Sequence, residues 1–74
     1  MKLMKYTEIE AIILKKEIKK KEIEERIKEL GNSLVIGEIK DYYKIHIHTN
    51  YPEKVIEELK KISEIVDLKK TPLP

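Results

Sequence analysis

The sequence predicts an α+β fold, a ferredoxin-like βαββαβ two-layer sandwich. In it a four-stranded antiparallel sheet carries two helices on one face. Three observations predict it. Period-two alternation marks "YTEIEAIIL" (Tyr6–Leu14) and "YYKIHIHT" (Tyr42–Thr49) as strands. Helical apolar spacing marks the segment after each, "KKEIKKKEIEERIKEL" and "NYPEKVIEELKKI". Two further β-prone stretches, "SLVIG" and "EIVDLKK", complete the order β-α-β-β-α-β. Right-handed crossovers then place the first and third strands side by side at the centre of the sheet.

In the first strand Thr7, Ile9, Ala11 and Ile13 share one face, and Tyr6, Glu8, Glu10 and Ile12 share the other. In the first helix Ile23, Ile27 and Leu30 form one stripe. Glu22 with Arg26 and Glu24 with Lys28 are spaced as favourable i,i+4 ion pairs. Gly31 occupies the place of a left-handed C-cap residue, and Asn32 continues the turn. Ser33–Gly37 is a short strand, and "EIKD" is a hairpin connection. The third strand sends Tyr43, Ile45 and Ile47 one way and Lys44, His46 and His48 the other. The second helix opens at Pro52 and Glu53 with Asn50 or Tyr51 at its cap, and buries Val55, Ile56, Leu59 and Ile62. In the last strand Val66 and Leu68 are the expected inward pair. "TPLP" ends that strand, because its two prolines lack the donors that extend a sheet. One domain is therefore expected over residues 1–70, with 71–74 as a tail or linker.

A chain of 74 residues buries a modest core, and no cysteine is present to reinforce it with a disulfide or a thiolate-bound metal. Charged residues make up 41% of the chain, against roughly 25% in an average domain. With glutamine absent, this is the Lys/Glu-rich bias of heat-adapted proteins, and a thermophilic source is expected. Sixteen basic residues against 14 acidic give a net charge of +2, too balanced for a dedicated polyanion binder. No apolar run reaches the roughly 18 residues of a membrane span. "MKLMKYTEIE" lacks the apolar segment of a secretory signal, so a cytoplasmic location is expected.

Both histidines of the chain lie in "YKIHIHTNYPEKV" (Tyr43–Val55). On a strand, His46 and His48 project from the same side and can chelate one metal ion, and imidazole suits zinc. Glu8, on the matching face of the neighbouring central strand, could supply a third ligand. The plainer reading is two solvated side chains on an exposed sheet face. The lysines from Lys15 to Lys28 are interleaved with Glu17, Glu22, Glu24 and Glu25, which reads as a solvated helix face rather than a phosphate track. The RNA-recognition module shares this topology but stacks bases on open-face aromatics, and here that face carries Glu8, Glu10 and histidines. Ser33 and Ser63 sit at element boundaries, Gly31 and Gly37 make no glycine-rich phosphate loop, and no nucleophilic triad has support. The chain is not expected to be an enzyme by itself.

"LGNSLVIG" and "YKIHIHTNYPEKV" carry a resemblance. The chain resembles the middle domain of the bacterial fatty-acid kinase catalytic subunit. That is a dihydroxyacetone-kinase-like family that works with DegV-type fatty-acid-binding proteins. Gly31, Ser33, Leu34 and Val35 match the family's Gly-Asp-Ser-Leu-Val-Val segment. Lys44, His46, His48, Thr49, Asn50, Pro52 and Val55 match its Val-Lys-Val-His-Val-His-Thr-Asn-x-Pro run and the helix behind it. The family's first strand begins Tyr-Cys-Thr-Glu, and its cysteine and two histidines look like a zinc site. Here Tyr6 stands at the cysteine position, before the matching Thr7 and Glu8. Asn32 replaces an aspartate and Glu53 a glycine. The family's ATP-binding domain and its domain that contacts the lipid-binding partner do not lie within these residues.

The resemblance implies a non-catalytic accessory domain of a kinase-related protein, used in domain assembly or docking, with His46, His48 and Glu8 as the metal candidates and zinc as the metal. Its expected partners are other domains of a kinase-like parent, a DegV-type fatty-acid-binding protein or a second copy of the chain, with neither nucleic acid nor a membrane span. An ACT-like small-molecule sensor domain, which shares the topology, is the alternative from another class. A free-standing metal-binding domain is a third reading.

Overall fold

A computed structural model describes residues 6–74. The expectation that the domain begins at Met1 lies outside the described residues. The elements follow the order β1 (Thr7–Leu14), α1 (Lys20–Ile27), β2 (Gly31–Ile39), β3 (Tyr42–Thr49), α2 (Pro52–Ile62) and β4 (Ile65–Pro72). All pairings are antiparallel, and the strand order is β2-β3-β1-β4. β1 and β3 are thus the central pair, as expected from right-handed crossovers in the βαββαβ order. The fold is the α+β two-layer sandwich.

Alternation decides which face is covered. Ile9, Ala11 and Ile13 of β1 and Tyr43, Ile45, Ile47 and Thr49 of β3 are all buried. Ile23 and Ile27 of α1 and Val55, Ile56 and Leu59 of α2 pack onto them, with Ile62 half-buried beside them. Fully burying an aliphatic side chain of this size contributes about 1.5–3 kcal/mol, so a core made largely of isoleucine can hold a short, cysteine-free chain. Tyr43 closes one end of the core. Its hydroxyl donates to the Ile18 carbonyl at 2.6 Å, and Lys15 lies 5.7 Å from its ring centre.

Several local expectations need correcting. The first helix is shorter than its apolar pattern suggests. Lys16 turns through a left-handed conformation (φ 48°), and the helix starts only at Lys20. Residues Lys28–Leu30 tighten into a 3-10 turn. Gly31 is not a left-handed cap: it is extended, with φ −177°, and begins β2. Its glycine identity comes from crowding, since a Cβ there would collide with the backbone carbonyl of His48. β2 runs to Ile39, so the hairpin loop is only Lys40 and Asp41, with Lys40 at φ 50°. Between Asn32 and Val35 the pairing with β3 slips by one residue, and Ser33 takes φ 58° in that bulge.

The ion pairs also differ from the i,i+4 expectation. Arg26 reaches across to Glu58 of α2 at 3.1 Å, and Lys28 pairs with Glu25 at 3.4 Å. Neither Val66 nor Leu68 is buried, although Leu68 shares the covered face with Ala11. Val66 and Leu68 are 51% and 37% exposed. Ile12 pairs with Asp67 and Ile13 with Ile65, which leaves Val66 as the extra residue of a bulge. Leu68 stands opposite Ala11 on an edge strand, and Ile65 packs against the core instead. β4 also runs through Thr71 to Pro72 rather than stopping at Lys70. Proline is tolerated there because an edge strand has one side with no partner to hydrogen-bond. The next donor, the Leu73 N–H, reaches the Tyr6 carbonyl at 2.9 Å.

Candidate functional site

With both helices on one face, the other face of the sheet is open. Register assembles what stands on it. Glu8 lies opposite His48 and Glu10 opposite His46 across β1 and β3. On the outer strands, Thr71 lies opposite Glu8, Lys69 opposite Glu10 and Val35 opposite His46. The two histidines therefore project away from the helical layer, beside the first strand's carboxylates, as alternation predicts. Tyr6 precedes Thr7 by one residue, so the same alternation assigns it to the Glu8 side; it is 39% exposed.

Three of these side chains converge. The Nε2 atoms of His46 and His48 are 3.2 Å apart, with the ring centres 4.9 Å apart and the planes tilted by 56°. His48 Nε2 is 3.5 Å from Glu8 Oε1. One donor atom from each of Glu8, His46 and His48 falls within 4.8 Å of both others. A hydrogen bond between these two Nε2 atoms needs one imidazole to donate and the other to accept.

Two of the three donor separations can be set against the spacing of a metal site. Zinc binds imidazole at about 2.0–2.1 Å with tetrahedral angles, which sets neighbouring donor atoms roughly 3.4 Å apart. The 3.2 Å and 3.5 Å separations bracket that edge. Two imidazoles and a carboxylate are also donors that zinc accepts. Glu10 shares the face but is not in the three-donor group. All three donors are half-buried, so the site is reached from solvent without opening the fold. A shallow depression of about 450 Å³ abuts it, walled by His46, Glu10, Lys44, Val35 and Ile39.

Behind the site the backbone is pinned. The buried Thr49 hydroxyl donates to the Leu30 carbonyl and accepts the Tyr51 N–H at 2.8 Å. One side chain thereby ties the end of the 3-10 turn to the start of α2, one residue beyond His48. Gly31 pairs with Thr49 in the sheet and lets β2 approach the His48 carbonyl. Sequence reasoning assigned neither residue this positioning role. The signal was present in "LGN" and "HTN", but only the register brings the two together. The side-chain oxygen of Asn50, two residues past His48, is buried without a hydrogen-bond partner.

The open face also carries an apolar end. Val35, Ile39 and Tyr42 are 62%, 55% and 41% exposed, and the register sets Ile39 opposite Tyr42 near the hairpin tip. Among the described residues, no helix is long and apolar enough to cross a membrane.

The family model for the FakA-like middle domain, which describes the middle domain of a fatty acid kinase subunit, matches residues 4–73, nearly the whole chain. No curated protein and no solved structure matches the chain.

Proposed function

The chain belongs to the FakA-like middle-domain family of fatty acid kinase subunits, and we propose that it serves there as a non-catalytic accessory domain. In this reading it takes part in domain assembly or docking and carries a zinc site at Glu8, His46 and His48. The observation that carries the accessory role is the match itself, which is to a middle domain of a kinase subunit rather than to an ATP-binding one. The docking reading is supported by Val35, Ile39 and Tyr42, large apolar side chains standing in solvent on a sheet face that no helix covers. Its occupant in this proposal is another domain of the kinase-like parent.

The zinc reading is supported by the three converging donors and by two donor separations close to a tetrahedral edge. A bound ion would tie the two central strands together on the side away from the core. Its role is structural in this proposal, and the residues do no bond-breaking chemistry.

Metal analysis tests the site. The unmodified protein should retain about one zinc per chain after stoichiometric supply, and His46→Ala and His48→Ala should retain none. An unmodified protein without zinc ends the metal reading. The docking reading is tested by the double substitution Val35→Asp and Ile39→Asp. Both residues are more than half exposed, so the melting temperature should hold while binding to the remainder of the kinase subunit is lost. Binding that survives the double substitution refutes this face. Loss of binding to a DegV-type protein alone would transfer the face to that partner. A thermal-shift panel separates the sensor class: an ACT-like domain would respond to a metabolite by RT ln(1 + [L]/Kd), whereas this reading expects a response to divalent metals only.

A further inference from the structure

The metal site proposed above has three protein donors where a tetrahedral ion takes four, and the position that the family resemblance gives to a thiolate is held here by Tyr6. We propose that a metal held by Glu8, His46 and His48 keeps a coordination position open to an outside anionic donor, a carboxylate or a small inorganic anion. The inference rests on the metal reading and adds to it what the site can bind.

Four observations carry it. Among the described residues, the group contains no fourth histidine, cysteine or acidic side chain. The donors are not sealed: the His48 side chain is 28% exposed and that of Glu8 25%. The depression walled by His46, Lys44, Glu10 and Glu38 adjoins the site at His46 on the β2 side, leaving room for a molecule that is not part of the chain. Charge then selects the class. A divalent ion with one carboxylate and two neutral imidazoles keeps one positive charge in excess; the lysines nearby are matched by carboxylates, Lys69 standing opposite Glu10 and Lys44 sharing the depression with Glu10 and Glu38, so the ion's own charge decides. A neutral donor would leave that charge uncompensated, and an anion neutralises it. The donor set of two histidines and one carboxylate is also one that leaves exchangeable positions in metal sites generally, whereas four-donor sets close around the ion.

Cobalt(II) and azide read this directly. Apo protein is titrated with Co(II), whose visible absorption reports coordination, and azide is then added to the loaded protein. The expected result is a cobalt spectrum of low-coordinate type that azide changes saturably. In Tyr6→Phe both features should persist. In Tyr6→Cys a sulfur-to-cobalt charge-transfer band should appear and the azide response should be lost, because the thiolate fills the open place. No bound cobalt overturns the metal reading and this inference with it. Bound cobalt with a spectrum that azide leaves unmoved overturns this inference alone, since a donor of the chain, the Tyr6 phenol or the orphaned Asn50 oxygen, would then close the shell. A cobalt spectrum that Tyr6→Phe alters identifies the phenol as that donor and has the same force. Circular dichroism of each variant checks that the partly exposed position 6 has not cost the fold.

Discussion

Thr49→Val isolates the hydroxyl that pins the turn before β2 to the start of α2. Valine has nearly the same shape as threonine, so the buried site stays filled and no cavity term enters. What is lost is one donor to the Leu30 carbonyl and one acceptor for the Tyr51 N–H. Stranding a wholly buried polar group costs about 1–3 kcal/mol. Leu30 is half-buried and Tyr51 is 55% exposed, so water recovers part of each loss. The low end applies, about 1 kcal/mol per group and about 2 kcal/mol together. At roughly 4–8 °C per kcal/mol for a domain of this size, the melting temperature should fall by about 8–16 °C. Urea unfolding followed by circular dichroism gives the free energy, and a thermal scan gives the melting point. Thr49→Ser keeps the hydroxyl and removes one methyl group, so it should lose only about 1 kcal/mol. A valine variant no less stable than the serine variant would refute the argument, because shape rather than hydrogen bonding would then explain the residue.

Gly31→Ala should destabilise by about 1–3 kcal/mol, since the added Cβ meets the His48 backbone, which cannot swing aside as a side chain could. The same variant should weaken zinc retention, and unchanged stability with unchanged zinc content would show that β2 shifts freely. Ile45→Ala should cost about 2–5 kcal/mol and Leu68→Ala about 1 kcal/mol or less, because Ile45 is fully buried and Leu68 lies on the open edge; equal losses in urea would contradict the edge placement. Glu38 is held below the ordinary carboxylate range by its hydrogen bond from Lys15, and Glu58 by its hydrogen bond from Lys61. A lowered carboxylate pKa stabilises the fold fully above the unfolded value of 4.5, and that contribution disappears as pH falls through the lowered values. The urea midpoint of Glu38→Gln with Glu58→Gln should therefore decline less on acidification than that of the unmodified protein, and parallel curves would show that these surface pairs contribute nothing.

Much of the sheet was readable residue by residue because alternation is a local property. "YKIHIHT" states which of its side chains share a face, and "TEIEAIIL" does the same. Two such strands at the centre of a βαββαβ order leave one arrangement of covered and open faces. The convergence of Glu8, His46 and His48 followed from that parity together with the pairing of the first and third strands. Other residues were misread because their roles depend on neighbours distant in sequence. Gly31 after a helical stripe looks like a cap, yet its small size serves the approach to His48, which the chain reaches 17 positions later. Val66 and Leu68 look like an inward pair, but a bulge opposite Ile12 and Ile13 shifts the strand, and an edge position leaves Leu68 partly in water. The closing prolines look like a stop, yet an edge strand can hold Pro72 in the sheet.

By itself, then, the sequence determined the layers and the face on which the imidazoles stand, because each is set by a period of two or of 3.6 along the chain, and the central strand pair, because the element order with right-handed crossovers sets it. Only the tertiary structure decided the 3.2 Å and 3.5 Å donor separations, the slips of register at Ser33 and Val66, and the crowding that reserves position 31 for glycine. Those depend on how far one strand slides against another, and a one-residue slide leaves the pattern within each strand unchanged while exchanging every partner across it.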